Sequence, residues 1–433
     1  MRTTPILLLH LLSGAGPLIA QAQLSGFVEY DNITYLKKGN AAKINSRNQG
    51  ILQLELRHRA SGVAEAFGSV EIRADQADPA RNRVFLDEAY ISLYIGDADI
   101  RVGKQIYAWG RADALNPTDN LTVWDFSDIL DTDDEKIGAL SARVEYYFGD
   151  WMVEGVLVPS FTASVLPGVD SRWWPELPAT IPNPAYPRLG GPTLAASYTS
   201  AESVLPDEGV ESTQYAVRLS GLATGWDFSI SWFDGFDDLP AIHTSTVIDS
   251  TTATAEIVLQ QRYHRRRAIG MDFATTMGRL GVRGEAAYYL TEDWRGVDPA
   301  IDDPYLQYTL GLDYTFSDVW PDKDLFVLVE WVQEVQVPNR NTVTGGITDL
   351  NHVFRKSLFG KVDLSFGEFT KLTLEGVVNL DSEDWWVRPG FQWSVTDGVQ
   401  VKAEADLLGG PEDSFFGLFR DNRRLHLRLK YSF

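Results

Sequence analysis

The stretch Arg101-Val-Gly-Lys-Gln-Ile-Tyr-Ala-Trp-Gly-Arg-Ala-Asp-Ala-Leu-Asn-Pro-Thr-Asp-Asn120 gathers side chains that can act on a solute. Arg101, Lys104 and Arg111 are cations and Asp113 and Asp119 are carboxylates; Gln105 adds an amide and Trp109 a broad aromatic face. Their chemistry is ion pairing and charged contact, because no nucleophile with an adjacent base accompanies them. Asp113 and Asp119 are placed to pair with Arg101, Lys104 or Arg111. Acidic residues then continue at Asp125, Asp128, Asp131, Asp133, Asp134 and Glu135. This run lacks the fixed spacing and the glycine of a calcium loop, so it reads as a solvated face. Hung into a pore, it would favour cations through its local field.

A second charged set closes the chain. From Arg424 to Phe433 every other residue is apolar (Leu425, Leu427, Leu429, Tyr431, Phe433), and Arg424, His426, Arg428 and Lys430 take the other positions. Lys402, Glu404 and Asp406 alternate in the same way just before. If the two runs are neighbouring strands, their opposite charges brace a hydrated wall. Arg424, Arg428 and Lys430 are therefore candidate lumen residues.

Catalysis finds no support in the remaining titratable residues. Beyond His10, the histidines are His58, His243, His264, His352 and His426, and none lies in a recognisable nucleophile motif. The chain has no Cys, which excludes disulfides, thiolate metal sites and Cys nucleophiles. No glycine-rich phosphate cradle and no metal-ligand spacing appears, so neither cofactor nor metal is expected and the chain is not read as an enzyme. The cluster from Arg262 to Arg267 suits phosphate groups, such as those of lipopolysaccharide. The formal net charge of −22 argues against a nucleic-acid partner.

The elements that position these residues are strands. Residues 1–22 read as a signal peptide: Arg2, an apolar run from Pro5 to Leu12, and an Ala20-Gln21-Ala22 cleavage site, which leaves residues 23–433 as the mature protein. Beyond it come runs that alternate apolar and polar residues: 24–35, 49–59, 63–73, 83–95, 98–110, 136–148, 151–159, 212–222, 226–234, 255–275, 279–291, 304–316, 323–336, 352–365, 368–380, 385–396, 399–408 and 420–433. That makes about 18 strands, within a range of 16 to 20. Odd-numbered gaps tend to be long and even-numbered ones short, with turns at Gly149-Asp150, Thr224-Gly225, Met277-Gly278, Gly367-Glu368 and Asp397-Gly398. A soluble sandwich has no reason to sort its loops by parity. A transmembrane antiparallel up-and-down β-barrel does, with short periplasmic turns and long extracellular loops. An aromatic content of 12% suits its interfacial girdles. A barrel of that size encloses a lumen wide enough for water.

The last strand resembles the C-terminal strand of bacterial outer-membrane barrels, which ends in Phe and is read by the barrel-assembly machinery. Gly103, Lys104, Gln105, Trp109, Gly110, Asp113, Asn116 and Pro117 form a G-[RK]-Q-x3-W-G-x-x-[DN]-x-x-N-P motif. In that motif the chain resembles a largely uncharacterised family of porin-like outer-membrane proteins, distantly similar to alginate-export porins. Some members are proposed to work beside inner-membrane exporters. The resemblance implies an outer-membrane barrel of a Gram-negative cell and does not imply a substrate.

Local reading adds two expectations. Strict alternation would point Lys104 at lipid, so a bulge at Gly103 is expected to turn it inward. Gly110 should end the fifth strand, and the segment 111–135 should fold into the lumen and narrow it. The long proline-rich segment 160–210 carries Trp173-Trp174 and repeats Ser164-Val-Leu-Pro167 as Ser203-Val-Leu-Pro206. So much proline argues against regular structure there. The chain is thus expected to be a channel for passive diffusion of small polar or charged solutes, set in outer-membrane lipid and lipopolysaccharide. Export of a hydrophobic compound or anionic polymer with an inner-membrane partner, a blocked structural barrel and a homo-oligomer stay open.

Overall fold

Alternation fixes which face of each strand meets which solvent. In the computed structural model Leu425, Leu427 and Leu429 are about half exposed, whereas Arg424 is 0 % and His426 5 % exposed. The same inversion recurs at Val28 and Tyr30, which face out, against Glu29 and Asp31, which are buried. A soluble sheet would hide the leucines. Here the apolar band is outside and the charges are inside, as a bilayer demands. The structure describes residues 22–38, 45–60, 62–77, 81–131, 135–183, 192–249, 251–298, 300–321, 323–337 and 350–433. The expected signal peptide lies outside them, apart from Ala22.

Eighteen strands form one sheet. They are β1 (Ala22–Tyr35), β2 (Ser46–Ala60), β3 (Ala64–Asp75), β4 (Arg83–Ile95), β5 (Ala98–Gln105), β6 (Ala139–Phe148), β7 (Trp151–Val158), β8 (Gln214–Ala223) and β9 (Trp226–Phe236). The second half holds β10 (Arg265–Met277), β11 (Leu280–Thr291), β12 (Tyr305–Trp320), β13 (Lys323–Gln336), β14 (Lys356–Phe366), β15 (Thr370–Asn379), β16 (Asp384–Thr396), β17 (Val399–Gly409) and β18 (Arg424–Ser432). Each pairs antiparallel with the next, and β18 returns to β1 with Phe27 opposite Ser432. Two backbone bonds complete the seam: Gly26 N–H to the Phe433 carbonyl at 3.1 Å, and Phe433 N–H to the Gly26 carbonyl at 3.0 Å. The sheet is therefore a closed transmembrane barrel without free edges.

Short turns gather at one rim, with both strand termini, and long loops at the other. Phe148, Trp226, Trp320, Phe369 and Tyr431 stand exposed next to the short turns, forming one aromatic girdle.

Three expectations are corrected. The run 255–275 is two strands, Thr254–Arg262 and β10, broken at Tyr263-His264. The first of these leaves the barrel and joins a four-stranded sheet at the long-loop rim with Thr180–Pro182, Thr193–Ser200 and Ala241–Asp249. Thr193–Ser200 forms despite its proline-rich surroundings because no proline falls between Pro192 and Pro206. Finally, β5 stops at Gln105, not Gly110, and its chain turns into the lumen.

Candidate functional site

The described residues of the segment 106–138 cross the lumen and are tied to its walls in two different ways. From Gly110 to Thr118 the loop presents its own amides. Glu285 of β11 accepts the amides of Arg111 and Ala112 and, at 2.9 Å, the hydroxyl of Thr118. Glu330 of β13 accepts the amides of Asp113 at 3.0 Å and Ala114 at 2.7 Å. Loop carbonyls answer: Leu115 accepts from Thr309 at 2.9 Å and Pro117 from the Tyr289 hydroxyl at 2.6 Å. Arg111 grips Asp227 with two bonds of 2.8 Å and also pairs with Asp272. Asp227 adjoins the short turn before β9, so this end of the loop reaches deep into the barrel.

Gly110 explains itself here. Its φ is +100°, and a Cβ would sit 2.7 Å from one Glu285 oxygen and 2.8 Å from the other. Only glycine lets the backbone close on that carboxylate. Gly103, at φ +139°, has a similar reason, because a Cβ there would meet the Ala89 carbonyl oxygen at 2.2 Å. It makes no bulge: the ladders of β5 with β4 and β6 run through it without a shift. The extra residue lies instead in β4, where the register against β3 shifts between Ser69 and Val70 and passes over Asp87. Lys104 packs against that neighbour, its ammonium 3.9 Å from the Phe85 ring centroid and bonded to the Leu86 carbonyl.

From Asp125 to Glu135 the polarity reverses: here the loop presents carboxylates and the wall presents arginines. Arg83 reaches Asp125 at 2.8 Å. Asp128 lies between Arg47 at 3.0 Å and Arg424 at 2.5 Å, and Arg424 also holds Asp406 at 2.6 Å. Asp131 meets Arg428 at 3.5 Å, and Glu135 meets Arg73 at 2.9 Å and Arg81 at 3.3 Å. Arg388 donates to the Leu130 carbonyl at 2.6 Å. Asp125, Asp128, Asp131 and Glu135 are buried, so the acidic run is a set of neutralised anchors and not the solvated face expected. Asp133 and Asp134 lie outside the described residues.

Burial and pairing set the protonation of this half. Burial disfavours ionised Asp128, but the Arg424 and Arg47 guanidinium groups outweigh it and hold the carboxyl well below the usual range. At Glu135 burial prevails. With the neighbouring charge of Asp131 it pushes the carboxyl up to about 7 against Arg73 and Arg81. Burial also pushes Asp119 up to about 6, against the bond it accepts from the Thr122 hydroxyl.

The residues singled out in sequence are brought together only in part. Asp113 pairs with Arg283 of β11, and Asp119 with Thr122, so neither meets Arg101, Lys104 or Arg111. Arg101 stays on its strand, bonded to Ser92 at 3.0 Å over the Tyr90 ring. Gln105 donates to the Ser141 carbonyl at 3.2 Å, and Trp109 is buried with Tyr107, Leu121, Val156 and Phe233 against the wall. Arg428 and Lys430 both face Glu29, at 3.2 and 3.7 Å. In the basic cluster, Arg265 and Arg267 both pair with Asp234, and Arg266 pairs with Asp237. The wall carboxylates Asp227, Asp272, Glu285 and Glu330 and the wall arginines Arg47, Arg73, Arg83 and Arg388 carry the loop, yet nothing in the motif announces them. Their one signal was a charge at an inward position of a strand.

The repeated Ser-Val-Leu-Pro copies make matching contacts. Val165 forms a parallel bridge with Asp125, and Val204 forms one with Arg262. The first copy thus clamps the lumen loop to the segment after β7.

Fold and site together define a closed transmembrane β-barrel whose lumen is crossed by an inward loop. Residues 21–292 match the model of a family described as proteins of unknown function, DUF1302, and the chain belongs to that family. The matched part includes the motif at 101–120. No curated protein matches the chain. Among solved structures, a mutant Rh. blastica porin is 11% identical, with a TM-score of 0.45, over 95% of this chain and 100% of that one. A loop-deletion mutant of OmpT, an outer membrane protein of Vibrio cholerae, is 9% identical, with a TM-score of 0.44, over 95% of this chain and 99% of that one.

Proposed function

We propose that the protein is an outer-membrane channel for passive diffusion of small polar or charged solutes, made after cleavage near Ala22. The observation that carries this reading is the inward loop, suspended between an acidic wall and a basic wall of a charged lumen. The loop ties leave part of the wall uncovered. Lys361, Lys371, Glu375, Arg388, Lys402 and Glu404 line a polar crevice of about 180 Å³ on β14 to β17, and we assign the solute path to it. Of its cations, Lys371 pairs with Asp363, Arg388 with Asp406 and Lys402 with Glu404, and the described acids of the loop are paired too. The proposed path is therefore lined by balanced charge and not by the cation-attracting excess that the acidic run suggested.

The test is single-channel conductance of the refolded protein, residues 23–433, in a planar bilayer. Steady ohmic current is expected, and Lys371→Glu with Lys402→Glu should move its selectivity toward cations. Correctly folded barrels that pass no current would overturn the channel and favour a blocked structural barrel. Export of a hydrophobic compound is a second reading, favoured by an apolar cavity at the long-loop rim. Barrel-assembly machinery, lipopolysaccharide and an inner-membrane exporter are the partners these readings call for.

A further inference from the structure

Above the lumen loop, at the long-loop rim, lies a cavity of about 650 Å³. That is within the range of small-molecule sites, about 300–1,000 Å³. Its walls come from separate parts of the chain: Trp173 and Leu166 from the segment after β7, Leu239 from the segment after β9, Ile301 from that after β11, and Phe419 from that before β18. The Trp173 and Phe419 rings meet edge to face, with centroids 5.4 Å apart. Ile129 of the lumen loop also lines it, so an occupant would touch that loop.

The polar atoms on this lining divide into two groups. Its charges are paired: Arg266 with Asp237 at 2.6 Å, His264 with Glu292 at 2.9 Å, and Asp302 with His352 at 3.0 Å. A charged ligand would enter an apolar site with no counter-ion left for it. Trp173 Nε1, Arg266 Nε and Thr291 Oγ1 have no hydrogen-bond partner among the described residues, but these atoms are buried behind the lining surface and out of an occupant's reach.

We propose that this cavity binds an uncharged, mostly apolar small molecule. The assignment does not depend on ion conduction, since the cavity and the polar crevice share no lining residue.

The experiment uses the whole refolded barrel in amphipol and the neutral naphthyl ketone prodan as probe. Saturable, blue-shifted fluorescence above protein-free amphipol is expected. Leu239→Trp, which fills the cavity, should abolish it, and Ala300→Trp, which fills it from another wall, should do the same. The anionic probe anilinonaphthalene sulfonate should bind more weakly than prodan. Heat-modifiable migration reports folding of each variant, and either filling variant suffices if the other does not fold. Absence of saturable binding, or binding unchanged in a folded cavity-filled variant, would overturn the proposal. Tighter binding of the sulfonate than of prodan would overturn the uncharged class. Conductance should be the same in wild type and Leu239→Trp, so failure here and failure of the channel are read separately.

Discussion

The two halves of the lumen loop solve one problem with opposite charges. Residues 110–118 hang by their main chain from wall carboxylates, chiefly Glu285 and Glu330. Residues 125–135 hang by their side chains from wall arginines, chiefly Arg47, Arg73 and Arg424. An amide is present whatever the residue, so the first half should tolerate changes in its own side chains except at Gly110, where a Cβ meets Glu285, and at Arg111, whose guanidinium holds Asp227 and Asp272. A carboxylate anchor is lost with its residue, so the second half should not. The difference also concerns water: the second set is more enclosed, and an ion pair there is screened less.

The largest expected effect is that of Arg424→Met. It removes one of the two guanidinium partners of Asp128 and of Asp406, which keep Arg47 and Arg388, in a fully buried place. Breaking such a network costs about 3–5 kcal/mol, read as the urea midpoint of the refolded barrel in detergent. A midpoint near that of wild type would end the claim that the basic wall carries the second half.

Gly110→Ala comes next. A Cβ at that backbone angle strains the chain and collides with Glu285, at about 1–3 kcal/mol. The deep end of the loop should loosen, with a larger and noisier single-channel current. An unchanged current would mean that this half of the loop does not define the narrow point.

A pH titration separates the halves differently. The Glu135 carboxyl is raised from an ordinary 4.5 to about 7, so its contribution to stability is complete below the lower value and lost as pH rises through the upper one. Asp128 has the opposite sign. Its contribution is present above 3.8, the ordinary value, and is lost as pH falls. Urea midpoints should therefore decline from pH 4.5 to 7, and Glu135→Gln should reduce that slope, leaving the part below about pH 6 that Asp119 and Asp238 supply. A slope between pH 6 and 7 that survives the substitution would place that titration elsewhere.

Asp113→Asn should have the smallest effect. The Asp113 side chain is nearly half exposed and its pair with Arg283 is correspondingly weak, while its amide bond to Glu330 remains. A loss below about 1 kcal/mol is expected. A larger loss would show that the first half needs its side chains after all.

Much of the architecture was legible in the sequence, and the reason is local. Side chains alternate across a strand with period two, so Leu425 to Phe433 and their charged neighbours had to face different solvents. Strand number and loop parity followed from counting such runs, and errors came where a local pattern had two solutions. Gln260 to Arg267 carries a continuous strand-like pattern, yet the break at Tyr263-His264 sends one half out of the barrel. At Lys104 a charge on the wrong parity called for a bulge. The bulge lies in the neighbouring strand, at Asp87, while Lys104 keeps its ladder place opposite Ala89 and Leu140 and is accommodated by the Leu86 carbonyl instead. The motif located the loop, because Asn116-Pro117 starts a turn, although the strand itself ends at Gln105, before Gly110.

Sequence by itself determined the barrel, the charged interior and the departure of the loop from the wall, since all three depend on residues close together in the chain. Only the tertiary structure decided the partners. Asp128 and Arg424 are 296 residues apart, and Arg111 and Asp227 are 116 apart. Closure of the sheet brings inward charges from opposite walls within reach of the same loop. Which carboxylate takes which arginine is then settled by the register and height of strands on opposite walls, and no local pattern encodes that.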